Sequence, residues 1–186
     1  MNKLRLGLLQ YRVSRVEGVA GFADKLDREL DKAVQGGAEL VVLPEYACVE
    51  IGGAAAGTPD VRRELDAVSG LAPQIVAAMR EAAIRHRVWL LPGSLPVRDA
   101  NGTRNRAPLI APDGRVAFQD KRVMTRFESE SWDVRPGDPP SVFETPWGRI
   151  GIAICYDVEF PSLVRAQVEA GAWLILVPSC TDTMAG

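Results

Sequence analysis

Histidine is almost absent from these 186 residues: His86 is the only one. A Ser-His-Asp or Cys-His mechanism would rest on that residue alone, and its place in Arg85-His86-Arg87 reads instead as a solvated helix end. Cysteine is scarce too. Cys48, Cys155 and Cys180 are odd in number and widely spaced, which excludes a disulfide framework. Without a CxxC pair, and with one histidine, a zinc site is poorly supported. No apolar run approaches the ~20 residues that span a bilayer, and Met1 to Gln10 lacks the apolar core and cleavage site of a signal peptide. Neither sign of charge dominates: 22 Lys and Arg face 24 Asp and Glu. That balance leaves no basic footprint for nucleic acid and no basic helix for a membrane surface. A cytoplasmic location, with neither nucleic acid nor membrane as partner, is the expectation.

What is present is an ordinary globular composition, 47% hydrophobic and 25% charged. The length suits a single domain over 1–186 that buries a sizeable core without staples. Leu4 to Tyr11 reads as a buried strand. Phe22, Leu26, Leu30, Ala33 and Val34 then fall at helical spacing between Gly18 and Gln35, with Gly36-Gly37 as the stop. Leu40 to Leu43 is a second buried strand, so strand, helix and strand imply a parallel crossover. Residues 51–60 are small and loop-like; Pro73 to Arg87 is a helix leading into a strand at Val88 to Leu91. Turns at Asn101-Gly102 and Asp113-Gly114 make the middle of the sheet antiparallel. After a polar, Pro-rich stretch from Arg122 to Pro140, Val142 to Glu144 and Arg149 to Cys155 flank a turn. A helix from Pro161 to Ala170 and a strand from Trp173 to Val177 follow. The class is α/β with mixed sheets.

Glu45, Lys121 and Cys155 stand at or just beyond the carboxyl ends of these strands, where ligands bind in α/β folds. Singly each has a bland explanation: a solvated strand end, a charge run, ordinary packing. Together they form a chemical set. A cysteine nucleophile needs a proton acceptor, oxyanion donors and a proton for the leaving group. A buried carboxylate and a lysine can supply these without metal or cofactor.

The segments VVLPEY around Glu45, DKR around Lys121 and GIAICYDVEFP around Cys155 resemble the three signatures of the nitrilase superfamily of carbon–nitrogen hydrolases. The order and wide separation match as well. The resemblance implies an αββα sandwich, no cofactor, and a small-molecule amide or nitrile as substrate, with a carbamoyl compound as a further branch. It makes Glu45 the general base and acid, Lys121 the oxyanion donor, Cys155 the nucleophile, and the Tyr156 backbone N–H a second oxyanion donor. It also implies a second glutamate before a Pro-Gly-Asp turn. Counting back six from Pro136 gives Glu130, with Glu128 as the alternate position. Glu128 and Trp132 are assigned to the substrate pocket, and Arg165 to support of the site. Asp157 is read as fixing the turn around Cys155 through backbone N–H groups. Cys180 is read as a pocket spectator and Cys48 as packing.

The Cys block reads CYD rather than the CWE of many nitrile-hydrolysing members, which tips the resemblance towards an amidase. Members usually run well beyond 200 residues, so the expectation is that these 186 correspond to the N-terminal and central part of the sandwich and leave it incomplete at the C-terminus. Two expectations follow: an uncovered sheet face or dependence on a partner, and homo-oligomerisation as is frequent in the family. The rival reading is a catalytically impaired binding or oligomerisation module.

Overall fold

The computed structural model describes residues 3–57 and 60–181. It begins with β1 (Leu6–Leu8), α1 (Gly18–Gln35) and β2 (Leu40–Val42), then a 3₁₀ turn at Ala47–Ile51, α2 (Gly52–Ala56), α3 (Val61–His86) and β3 (Trp89–Leu91). Next come β4 (Leu95–Asp99), β5 (Gly102–Ile110), β6 (Val116–Asp120) and the short α4 (Arg126–Glu130). The chain continues through β7 (Val142–Thr145), β8 (Gly148–Ile152), a 3₁₀ turn at Cys155–Glu159, α5 (Pro161–Glu169) and β9 (Leu174–Leu176).

Two sheets result. In the first, β1, β2 and β3 run parallel, joined by the α1 and α3 crossovers. The long β5 then pairs antiparallel with β3 at Leu90 and Ile110, with β4 through its first half and with β6 through its second. In the second, β7 and β8 form a hairpin and β9 adds parallel to β8 across α5.

Period-2 alternation decides how the layers stack. Val41 and Leu90 turn one way, onto Phe22, Leu26 and Leu30 of α1 and Val68, Ile75 and Met79 of α3. Leu40, Val42 and Leu91 turn the other way, with Ala107 and Leu109, onto Ile150, Ile152 and Leu176 of the second sheet. Each such large side chain, fully buried, contributes about 1.5–3 kcal/mol of transfer free energy. On the far side of the second sheet, Gln167 of α5 donates to the Ile152 carbonyl at 2.9 Å and the Ser141 carbonyl at 3.1 Å. The layers are therefore α, β, β, α, the sandwich expected. On the inter-sheet face, in register with Val42, Leu8 is 69% exposed, so part of that apolar face is open among the described residues. Among those residues no helix is long and apolar enough to cross a membrane.

Three local expectations are corrected. α3 starts at Val61, twelve residues before Pro73, because Asp60 caps it by accepting from the Arg62 and Arg63 N–H groups. The stripe Leu65, Val68, Ala72, Ile75 and Met79 runs straight through the proline, which forfeits one helical hydrogen bond. Residues 52–56 are helical rather than loop, while 58 and 59 lie outside the described residues. His86 is not solvated. Its ring is buried between α3 and α1, 2.9 Å from Asp27 and 3.5 Å from Asp31.

Candidate active site

Each candidate residue leaves a strand on a backbone that its neighbours hold tightly. Beyond β2, Pro44 and Glu45 lead to Tyr46, which adopts φ 58° and donates its N–H to Ser94 Oγ at 3.3 Å. Gly93, at φ 78°, permits this approach, since a Cβ there would stand 1.9 Å from the Pro44 oxygen. Lys121 follows β6. Its N–H donates to the Asn105 carbonyl at 2.8 Å, and its own carbonyl accepts from Gly137 at 2.9 Å. Cys155 follows β8 at φ 49°, and its N–H donates to the Pro178 carbonyl at 2.9 Å.

Asp157 ties two of these segments together. Its buried carboxylate accepts from the backbone N–H groups of Ile154 at 3.3 Å, Arg122 at 3.1 Å and Val123 at 2.7 Å. The turn around Cys155 is thereby fixed, and the same carboxylate also anchors the chain just after Lys121, which belongs to the other sheet.

The side chains converge inside the fold. Glu45, Lys121 and Glu128 are each at most 4% exposed. Lys121 Nζ lies 2.9 Å from Glu45 Oε1 and 2.7 Å from Glu128 Oε2. Glu128 also accepts from Tyr46 Oη at 3.0 Å and, through its N-terminal capping box, from the Thr125 N–H and hydroxyl, both at 2.9 Å. Cys155 adjoins this cluster, near enough to Glu45 that each carries weight in the other's proton affinity, and its Sγ lies 3.9 Å from the Cys180 carbonyl. Tyr156 sits in the first turn of the 3₁₀ segment at Cys155–Glu159, where N–H groups find no partner in the helix.

Two assignments are corrected here. Glu130 is not at the lysine: its carboxylate is 60% exposed and pairs with Arg126, 2.8 Å away on the same short helix. Glu128 is not a pocket residue but the buried second carboxylate beside Lys121. Helical geometry explains the exchange, because residues two apart on a helix point to different faces. A usable signal was in the sequence: Thr125-Arg126-Phe127-Glu128 has the spacing of a capping box. Arg165 is exposed on α5.

Burial pushes the Glu45 carboxyl up, and Lys121 only partly offsets it because Glu128 adds its own negative charge. Burial acts on Glu128 in the same sense, but Lys121, the Thr125 N–H and Asn105 outweigh it and hold the group below the ordinary glutamate value. Lys121, although buried, is pushed up by its two carboxylates. Burial and the neighbouring Glu45 raise the Cys155 thiol, so it rests protonated beside a carboxylate able to take the proton. Two glutamates thus have opposite tendencies, the pattern that separates a proton carrier from a fixed anion. Cys48 is inert by contrast: fully buried, its thiol is pushed up to about 12.

A cleft of about 780 Å³ opens beside this group, lined by Tyr46, Trp132 and Cys180 together with Val13, Arg15 and Glu50. Trp132 lines this cleft and packs edge-on against Tyr46, ring centroids 6.3 Å apart. The Glu50 carboxylate is engaged by Lys25 at 2.7 Å and by the Tyr11 hydroxyl. Among the described residues Arg15 forms no ion pair. No three His, Cys, Asp or Glu side chains among the described residues are grouped to hold a metal ion.

The chain is similar to known proteins along nearly its whole length. The family model described as carbon-nitrogen hydrolase matches residues 5–185. A probable hydrolase of Bacillus subtilis is 27% identical over 98% of this chain and 36% of its own length. An omega-amidase of Danio rerio is 29% identical over the whole chain and 66% of its own length. Thus the chain spans between about a third and two thirds of these relatives. Among solved structures, a mutant of the amidase from Nesterenkonia sp. AN1, with acrylamide added at its active site cysteine, superimposes with a TM-score of 0.75 at 25% identity. That match covers 98% of this chain and 70% of the amidase.

Proposed function

Because this chain belongs to the carbon-nitrogen hydrolase family, we propose that it cleaves the carbon–nitrogen bond of a small amide through a thioester on Cys155. Glu45 takes the Cys155 proton, and the thiolate attacks the amide carbon. Lysine carries three ammonium hydrogens. Two are taken by Glu45 and Glu128, and the third, with the Tyr156 N–H, meets the oxyanion. As the tetrahedral adduct collapses, Glu45 gives its proton to the departing ammonia or amine and the thioester remains. Water then attacks the thioester, Glu45 accepts its proton, and the carboxylic acid leaves as the Cys155 thiol re-forms.

The observation that carries this reading is the buried cluster beside Cys155, in which one ammonium, Lys121 Nζ, sits 2.9 Å from Glu45 Oε1 and 2.7 Å from Glu128 Oε2. Glu45, raised by burial, passes the proton; Glu128, held low, keeps Lys121 charged and in place. The likeness to an amidase carrying an adduct on its active site cysteine supports Cys155 as nucleophile. A largely apolar cleft with Arg15, Glu50 and Glu64 in its wall suits a short acyl chain ending in a polar group. The intact, buried cluster speaks against a binding module that has lost its chemistry. Release of ammonia from a panel of amides, nitriles and carbamoyl compounds tests the reading: turnover of amides is expected, and turnover confined to nitriles would overturn it.

A further inference from the structure

Asn105 lies on β5 between Arg104 and Arg106, a triplet that reads as surface. The period of the strand separates them. Arg104 and Arg106 turn towards Asp99, at 3.2 Å, and Asp120, at 2.6 Å, while Asn105 points inward and is fully buried. Its Nδ2 lies 2.8 Å from Glu45 Oε1 and 3.0 Å from Glu128 Oε1. An amide nitrogen has two hydrogens, so each carboxylate receives one. The reversed amide would aim oxygen at two acceptors, so the chemistry fixes its orientation. The Asn105 Oδ1 meets no donor among the described residues, so the side chain is held there by its two N–H bonds. The backbone of the same residue accepts from Lys121 N–H at 2.8 Å. One residue therefore touches three members of the buried cluster.

We infer that Asn105 is a positioning residue: its amide bridges Glu45 and Glu128 on either side of Lys121 and fixes Glu45 by Oε1, leaving the other carboxylate oxygen to serve Cys155. The inference rests on the proposal that Glu45 is the base for Cys155. One ammonium cannot neutralise two buried carboxylates, and the amide supplies donors without adding charge. A second cation in its place would hold Glu45 ionised too firmly to take up and return a proton. An apolar residue would leave two like charges facing each other. The charged and titratable groups facing Glu45 are Lys121 beyond β6, Glu128 on α4, Cys155 beyond β8 and the hydroxyl of Tyr46, which itself donates to Glu128.

The test is the pH dependence of Cys155 alkylation by iodoacetamide, read by peptide mass spectrometry in the whole chain, alongside amide turnover. Asn105→Leu keeps volume and removes both donors; Asn105→Ser is smaller and keeps one donor. Losing donors to the ionised carboxyl raises its pKa, so the acid limb of Cys155 alkylation moves up by about one pH unit or more in Asn105→Leu. In Asn105→Ser it moves in the same direction by less. Amide kcat falls about tenfold or more in Asn105→Leu, with KM little changed. A purely structural role would lower stability without moving the limb, so an unmoved profile in a folded variant overturns the inference. If Asn105→Leu fails to fold, Asn105→Ser decides by the same criterion. Should the wild-type chain hydrolyse no amide, the alkylation profile still decides: a shifted limb sustains Asn105 in this role while the amidase reading falls. Turnover with an unshifted limb overturns the inference alone.

Discussion

Glu128 Oε2 lies 2.7 Å from Lys121 Nζ inside the fold, at the first turn of α4. The same carboxylate caps its own helix through Thr125, so helix start and lysine position are set by one group. Its neighbour two residues on, Glu130, is at the surface.

Exchanging the two glutamates therefore separates two outcomes. Glu128→Ala leaves the buried ammonium with one carboxylate and removes the cap, with an expected cost of about 3 kcal/mol or more in denaturant unfolding. Activity should fall about a hundredfold, because Lys121 loses its position. Glu130→Ala breaks only an exposed pair, so stability changes by less than about 1 kcal/mol and kcat/KM stays near wild type.

The pH profile has a definite sign. Glu45 must be ionised to take the Cys155 proton, and its folded pKa is raised. The acid limb of kcat/KM should thus lie above the ordinary glutamate range and be absent from Glu45→Gln, which retains little activity. Glu128 contributes in the other direction to stability. Its lowered pKa adds stability present above the unfolded carboxyl value and lost as pH falls through the folded one. An acid limb below the ordinary range would contradict the assignment of Glu45.

Asp157→Ala orphans three backbone N–H groups around Cys155 and Lys121. At about 1–3 kcal/mol for each buried group left unsatisfied, the chain should lose at least about 3 kcal/mol in chemical denaturation. Folded protein that remains should show reduced Cys155 reactivity, since the two segments are no longer held together. Unchanged alkylation kinetics would contradict that linkage.

Two glycines give opposite predictions. Gly93→Ala places a Cβ 1.9 Å from the Pro44 oxygen at φ 78°, so the Glu45 loop must shift, with a loss of about 2 kcal/mol or more and of most activity. Gly70, inside α3, has nothing within 4 Å of such a Cβ. Its change to alanine should stabilise the chain by about 0.5–1 kcal/mol and leave turnover intact. Thermal unfolding of the two variants with an activity assay checks both.

How much of this was legible depends on whether the cause was local. α1 carries a stripe at helical spacing and stops at Gly36, so both its extent and its buried face could be read from the sequence. Glu45, Lys121 and Cys155 stand out because strand ends are local, and the structure does bring Glu45 and Lys121 within 2.9 Å. The start of α3 was hidden because Pro73 imitates a first-turn proline while Asp60 is the actual cap. His86 and Asn105 were misjudged or missed for one reason. Both sit among arginines, and only long-range packing, against α1 for His86 and against Glu45 and Glu128 for Asn105, shows them buried. Glu128 was separable from Glu130 by the Thr125 capping spacing, which counting back from Pro136 overlooked.

Of all these measurements, trapping the acyl-enzyme reaches furthest. Quenching the chain during turnover of a simple amide and mapping its peptides should find the acyl group as a thioester on Cys155, with Cys48 and Cys180 unmodified. Ammonia released while Cys155 carries no adduct and Cys180 or Cys48 does would contradict the mechanism.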